Sequence, residues 1–535
     1  MNKYLKNIVL NIFFLMVGFF YELPFITGSK PLAYSYKLLG DQLFHINRLH
    51  SLSHIFTTPI TFDSYQDVGY GVNFFYPWIT FYPASLFSKL LNSEAKGILV
   101  FLAMVTYATL TISYYACKKY LNWNSKQSLI FSLLWTFSTY RGIDFFDRTA
   151  IGELLATIFI PLLVTSFLDF LLHKKYTNWI VIAISMSAIL LSHVLSTLIM
   201  TIVLLLILII NYKHTLDIKV WINLLKSVII TSLITMLYWA PMLQQKYYIP
   251  ITRPFVAILS DWSMNINDLF VNSIGSSYLT PNIGIILILV AIYGIFNFSK
   301  LSENNRQALV ISIIFLWLCT KAFPWHLLQN TPINFIQFPW RFMLVATFFL
   351  CLLGASFTSK IKSKYLILMF SIIFVSNYAL IKGLPTEEVL PMNKDATIAT
   401  YYKSYPNRDY YPKAAEKEGY NIEQKEFILN GKKKKANYKE SSTTFTTTLI
   451  NNNNKKMVAD IPILYYLGVT AKVNGKNVTI LKSARGTVKL LLNKGKNKIV
   501  ISSKYTKLAV YSQIISLVTF VLCCCWLIYT RLRKN

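Results

Sequence analysis

Apolar runs of about twenty residues recur along this chain, most of them bounded by Lys, Arg or turn residues. A helix of that length crosses about 30 Å of hydrocarbon, so the pattern predicts transmembrane segments rather than a soluble core. Twelve stretches qualify: 7–26, 97–117, 127–141, 151–172, 177–193, 194–212, 219–240, 282–299, 307–323, 342–359, 364–381 and 509–530. The stretch 177–212 reads either as two short helices broken near Ser192-His193 or as one long tilted helix. Phe74 to Leu91 is also apolar, but Pro77 and Pro83 interrupt it, and it is placed flat against or partly within the outer leaflet.

Toward the C-terminus the period changes to two. Val469-Thr470-Ala471-Lys472-Val473 alternates, Asn474-Gly475 supplies a hairpin turn, and Gly486–Leu492 and Lys498–Ser502 alternate again. The expected fold is therefore a polytopic α-helical membrane protein of about twelve transmembrane helices, with a small extracellular β-rich domain before the last helix. The expected division is 1–381 as a transmembrane domain with an outer loop 27–96, 382–508 as the β-rich domain, and 509–535 as a helix and basic tail.

Composition agrees with lipid as the solvent: 54% of residues are hydrophobic, 15% aromatic and only 14% charged. The formal charge of +30 would suit a nucleic-acid partner, but much of it lies in short loops between apolar runs, where it sets orientation instead. With the N-terminus inside, Lys3 and Lys6, Lys118-Lys119, Lys174-Lys175, Lys213 with Lys219, Lys300 with Arg306, Lys360, Lys362 and Lys364, and Arg531, Arg533 and Lys534 all fall on the cytoplasmic side. A crossing by 74–91 would invert every later loop. The stretches 27–96, 142–150, 241–281, 324–341 and 382–508 then face outward and hold Asp41, Asp63, Asp67, Asp144, Asp147, Asp261 and Asp268. All six cysteines sit in apolar stretches, which implies neither a disulfide framework nor a zinc site. The first run lacks a small-residue cleavage site and continues into Glu22 and Pro24, so it is expected to be a retained helix.

The outer β-rich segment carries 24 Lys and Arg against 10 Asp and Glu. Lys432–Lys435 and the asparagine run Asn451–Asn454 read as solvated loop tips. The excess charge is either a soluble surface or a contact for an outer-surface polyanion such as teichoic acid or lipid phosphate.

Candidate chemistry concentrates in the outer loops. In Asp41–Leu49 a helix would set Asp41, His45 and Arg48 on one face at i, i+4 and i+7; the plain alternative is an Asp N-cap with a surface ion pair. A second cluster runs from Tyr140 to Glu153 and includes Asp144 and Arg148. Glu153 opens an otherwise apolar helix, where a charge either has a task or pairs with the helix dipole. His193 suits a ligand contact or a helix–helix hydrogen bond. Gln337-Phe338-Pro339-Trp340-Arg341 fits an aromatic belt with a snorkelling Arg, or a grip on a lipid phosphate. No Walker motif, HExxH or nucleophile elbow occurs, which removes the main support for ATP-driven transport and hydrolysis.

These segments resemble the GT-C superfamily of membrane glycosyltransferases, most closely the Gram-positive YfhO-like and 6-pyruvoyl-tetrahydropterin synthase-related membrane proteins. The resemblance runs through Asp41-x-x-Phe44-His45-x-x-Arg48, Asn73-Phe74-Phe75-Tyr76-Pro77, Asp144-x-x-x-Arg148-x-Ala150-x-Gly152-Glu153, Ser192-His193, Gln337–Arg341 and Tyr465–Gly475. It implies transfer of a sugar from a polyprenyl-phosphate donor to a cell-envelope acceptor on the outer face, usually with inversion. Asp41 matches the superfamily's first-loop acid, the general base. Asp144 sits where relatives carry a second acid. Arg148 and Arg341 would hold the donor phosphate, with His45, Arg48, Glu153 and His193 as further substrate contacts. Asp41 stands alone where metal-dependent members carry an acidic pair, which weighs against a divalent metal. The expected partners are the lipid-linked sugar, an anionic envelope polymer or lipid acceptor and the bilayer, with no nucleic acid. The competing readings are a flippase or transporter of lipid-linked saccharide and a non-catalytic envelope scaffold. Broken helices paired across two related halves would mark a transporter, and no such repeat is visible.

Overall fold

Helices form where the apolar runs lie and stop where polarity changes. The computed structural model describes residues 3–27, 41–358, 365, 371–373, 375–380 and 407–533. The lysines at 360, 362 and 364, much of the predicted segment 364–381, loop residues 28–40 and the stretch 382–406 lie outside the described residues.

Five described helices contain spans long and apolar enough to cross a membrane: Tyr4–Glu22, Glu94–Tyr120, Ile151–Leu172, Pro339–Phe357 and Lys507–Thr530. The pair Ile218–Ile234 and Met236–Tyr248, broken at Thr235, would make a sixth. Other predicted segments give shorter helices. Trp179–Leu190 and Val194–Ile210 are separate elements broken at 191–193, so the 177–212 stretch takes the two-helix form. Ser125–Thr136 and Ile285–Phe296 have 12 residues each and rise only about 18 Å, less than a full hydrocarbon thickness. Side-chain caps define some starts: Asn124 accepts from the Gln127 amide, and Ser302 from the Asn305 amide.

The chain divides into two compact units, 1–42 with 98–232 and 256–393, and 43–97 with 233–255 and 394–535. In the first, Met343–Phe357 is buried on nearly every side, including Thr347 and Cys351. A Cβ on Gly18 would lie 2.7 Å from the Ala103 carbonyl oxygen, so glycine there lets the first helix lie against Glu94–Tyr120.

The second unit contains ten strands: β1 (Phe427–Leu429), β2 (Lys432–Lys434), β3 (Tyr438–Glu440), β4 (Thr444–Asn451), β5 (Met457–Leu464), β6 (Val469–Val473), β7 (Lys476–Val478), β8 (Leu481–Lys482), β9 (Thr487–Leu492) and β10 (Gly495–Ser503). They form two antiparallel sheets, β2-β1-β5-β9-β8 and β3-β4-β10-β6-β7, packed over one apolar core that includes Phe445, Ile461, Leu490 and Ile499. The alternating strands, the Asn474-Gly475 turn and the helix after Lys507 stand where the sequence places them. Lys432–Lys434 differs from the expected loop tip. It is an exposed edge strand paired with β1 across an Asn430-Gly431 turn, and its lysines suit an edge that must not recruit another strand.

The expected division at 381/382 does not follow these units. Phe62, Tyr65, Val68 and Tyr70 of the loop that follows the first helix enter the sandwich core, and the Leu464 amide donates to the Val68 carbonyl at 2.8 Å. The loop's aromatic residues find their apolar partner in the strands, so it belongs with them. Phe74–Leu91 forms helices Val72–Phe75 and Tyr82–Leu90, each too short to cross a bilayer. Gln245 anchors the sandwich from helix Met236–Tyr248, its amide donating to the Leu467 carbonyl at 2.9 Å and accepting from the Leu467 amide at 3.0 Å.

His50 clamps the same loop. Its ring lies 3.1 Å from both Asp63 Oδ2 and Glu94 Oε1, and Ser442 Oγ donates to Asp63 at 2.9 Å. Burial opposes the charged ring, but the bonds and charges of Asp63 and Glu94 outweigh it and raise the His50 pKa to about 9. Because this exceeds the unfolded value of 6.5, the stabilisation is full below about pH 6.5 and is lost as pH rises through about 9. Thermal unfolding of the wild type and His50→Asn should differ most at pH 6 and converge by pH 10. A pH-independent gap would remove the histidinium from the clamp.

Candidate functional site

A short helix Thr139–Gly142 runs into a π turn over Ile143–Asp147, followed by the helix Ile151–Leu172. The wider turn bonds the Arg148 amide to the Ile143 carbonyl at 2.9 Å, and the Ala150 amide to the Asp144 carbonyl at 2.9 Å. Thr149 adopts φ 50°, an uncommon conformation for a β-branched residue, which turns the chain between the two helices. This backbone collects three charges. Arg148 Nη1 bonds to Asp144 Oδ1 and lies 3.1 Å from Glu153 Oε2, while Tyr140 Oη donates to Glu153 Oε1 at 2.6 Å. Glu153 is thus held by Arg148 and Tyr140, beyond any pairing with its own helix dipole.

Arg341 comes from the 3-10 turn Pro339–Phe342 that leads into Met343–Phe357. Phe338 and Trp340 stack at 5.5 Å, the Arg148 guanidinium lies over the Trp340 ring at 4.6 Å, and Arg341 lies over Phe338 at 4.8 Å. Arg341 Nη1 donates at 3.0 Å to both the Ile336 carbonyl and Gln337 Oε1. Gln337 itself has φ 62° and ψ −53°, and the Phe338 amide closes a three-residue turn onto the Ile336 carbonyl at 2.7 Å. Arg341 therefore fixes a strained turn beside the charges, a placement that an aromatic belt alone does not require.

Asp41 opens the helix Asp41–Ser51 and keeps access to solvent. It is nevertheless recessed: loss of hydration raises its carboxyl above the ordinary value against the pull of Arg148 and then Arg341, with Glu153 also close enough to act on it. Burial and the charge of Glu153 push Asp144 well above the usual carboxylate range against the pull of Arg148. His193, at the break before Val194–Ile210, is near enough to Glu153, Arg341 and Arg148 for their charges to interact, and its Nδ1 lies 2.8 Å from Ser196 Oγ at the start of its own helix.

Six predicted residues, Asp41, Asp144, Arg148, Glu153, His193 and Arg341, thus converge in the first unit. His45 and Arg48 belong to the second unit and are buried there. Arg48 Nη2 donates to the Pro77 carbonyl at 2.6 Å, its guanidinium lies 4.3 Å from the Tyr76 ring centre, and its Nη1 lies 3.3 Å from His45 Nδ1. Both hold the loop's fold. Tyr140, Thr149 and Trp340 lie in the segments the sequence marks out, but nothing in their spacing gives them the roles they have here. A tyrosine thirteen positions before an intramembrane glutamate carries no periodic signal.

Three buried polar atoms at the site have no hydrogen-bond partner among the described residues: Asp144 Oδ2, Thr149 Oγ1 and Arg341 Nε. Orphaned groups of this kind are costly unless a ligand or water meets them. Among the described residues no three His, Cys, Asp or Glu side chains are grouped to hold a metal ion. Arg148 already occupies the position between Asp144 and Glu153 where a cation would go. A separate cavity of about 310 Å³, lined in part by Trp123, Asp169, His173 and Asn305, shares no residue with this cluster.

Residues 73–385 match a family model described as the 6-pyruvoyl-tetrahydropterin synthase related domain, a membrane protein. The match takes in Asp144, Arg148, Glu153, His193 and Arg341 but neither Asp41 nor the β-sandwich. No curated protein matches the chain.

Proposed function

We propose that this chain, which belongs to the family of 6-pyruvoyl-tetrahydropterin synthase related membrane proteins, is a GT-C-type glycosyltransferase. It moves a sugar from a polyprenyl-phosphate donor to an anionic cell-envelope acceptor at the outer face. The supporting observation is that Asp41, a carboxylate open to solvent, stands close enough to Arg148 and Arg341 to feel both charges, in the same cluster as an orphaned Asp144 oxygen.

The chemistry suits that set. Asp41 takes the proton as the acceptor oxygen attacks the anomeric carbon. The new C–O bond forms while the sugar–phosphate C–O bond breaks, and the electron pair leaves with the lipid phosphate. Arg148 and Arg341 meet the charge that develops there, where charge-assisted bonds count most. A carboxyl raised above its ordinary value is a stronger base, so the rise of Asp41 helps provided it remains ionised at the working pH. Asp144 and Glu153 hold Arg148 in place, and the Gln337 turn holds Arg341.

The test is direct: supply purified wild-type protein in nanodiscs with radiolabelled polyprenyl-phosphate sugar and envelope acceptor. Label should reach the acceptor without ATP. Intact donor after prolonged incubation, with label translocated across vesicle membranes instead, would replace transfer by transport.

A further inference from the structure

The solvent-facing side of the sheet β3-β4-β10-β6-β7 carries a pattern that the charged cluster in the helical unit does not use. Strand β4 alternates strictly: Phe445, Thr447, Leu449 and Asn451 point into the core, while Thr444, Thr446, Thr448 and Ile450 point out. The register extends that outer face across neighbouring strands. Lys439 of β3 pairs with Thr446, Thr446 with Val500 of β10, and Val500 with Lys472 of β6. Along β10, Lys498 pairs with Thr448 and Lys496 with Ile450, and at the other end Ser502 stands between Thr444 and Thr470.

The result is a face of four exposed lysines and a band of hydroxyls. Glu440 is the only acid in these five strands, and its pairing with Phe445 puts it on the core-facing register. The four lysines form no ion pair among the described residues. Lys496 and Lys498 stand about 7 Å apart along one strand, and Lys439 and Lys472 about 14 Å apart across three strand gaps. This differs from the lysine strand β2, where Lys433 is tied to Glu426 at 3.0 Å.

We infer that this sheet face is a docking surface for a linear phosphate-bearing polymer whose phosphates alternate with hydroxyl-bearing units. Lysines spaced along and across strands meet phosphates as point charges, and the Thr444, Thr446, Thr448, Thr470 and Ser502 hydroxyls meet a polyol backbone. No aromatic side chain lies on the face among these strands: Tyr438 is stacked against Phe445 on the core side. A base-stacking platform is therefore absent, which separates this surface from one for single-stranded nucleic acid. The inference needs no transfer chemistry, so it stands or falls apart from the proposed activity.

The experiment uses the full chain in nanodiscs of neutral lipid and fluorescent long-chain polyphosphate as the probe. Wild type should bind, with affinity falling steeply as salt rises. Lys472→Glu with Lys498→Glu should weaken binding at least tenfold, whereas Lys432→Glu with Lys434→Glu, the same charge change on β2, should weaken it less than threefold. Equal losses from the two pairs would reduce the effect to net charge and overturn the inference. So would wild-type affinity in the face variant, equal binding of a single-stranded oligonucleotide of matched charge, or retention by anionic-lipid vesicles with no polyphosphate binding. These lysines are exposed, and an unchanged melting temperature for both variants checks that each is folded.

Discussion

Asp41→Asn is expected to lower sugar transfer by about 10²–10⁴-fold while leaving donor binding nearly unchanged, because general-base catalysis contributes on that scale. The amide keeps the shape and the helix start of Asp41–Ser51 but cannot accept a proton. In the wild type, kcat/KM should rise with pH through an apparent pKa above that of an ordinary aspartate, since loss of hydration raises this carboxyl against the pull of Arg148 and Arg341. The variant should lose that limb of the profile. Turnover equal to wild type, measured with the same labelled donor, would take the base role away from Asp41.

Arg148→Ala carries the second large effect. It leaves Asp144, fully buried, and Glu153, at 2% exposure, beside each other without their shared cation. Removing one partner of a buried ion pair costs about 3–5 kcal/mol, far more than the pair contributes relative to a neutral replacement. The variant should therefore melt well below wild type. Adding Asp144→Asn and Glu153→Gln to Arg148→Ala removes the stranded carboxyl groups and should recover most of the stability, without recovering donor affinity if Arg148 grips the phosphate. A triple variant with wild-type donor affinity would leave Arg148 a purely structural role, and an undiminished melting temperature for the single variant would contradict the buried triad itself.

Much of the fold is legible because its causes are local. The helices Ile151–Leu172 and Lys507–Leu532 follow from unbroken apolar runs, and β6, β9 and β10 follow from period-two alternation around glycine turns. The charge β2 carries is equally visible, and its pairing with β1 is local too, because Asn430-Gly431 is a two-residue hairpin turn whose strands are simply too short to show a period. Helix lengths were the harder quantity. Leu190 ends its helix inside a stretch whose hydropathy resumes at Val194, just past Ser192-His193.

The candidate site divides along the same line. Asp144, Arg148 and Glu153 are five or fewer residues from their partners, and their chain spacing already brings them near one another. Arg341, His193 and Asp41 arrive from distant elements, and only packing shows that their charges meet. The Asp41–His45–Arg48 helix makes the contrast sharpest. Spacing alone put all three on one face, yet Arg48 is drawn among Tyr76, Phe81 and the Pro77 carbonyl of its own loop.

By itself the sequence determined that lipid surrounds this chain, that a β-rich segment precedes its last helix, and that acids and arginines of the polar connections between apolar runs are the groups available for chemistry. Composition and periodicity are properties of a segment, and a segment carries them wherever it goes. The tertiary structure alone decided that the loop after the first helix joins the β-sandwich, that Arg48 serves that loop while Arg148 and Arg341 come close enough for their charges to act on Asp41, and that Asp144, Thr149 and Arg341 keep unsatisfied polar atoms at the site. Those outcomes depend on which apolar surfaces find each other, and burial of one surface against another is a relation between segments that no single stretch encodes.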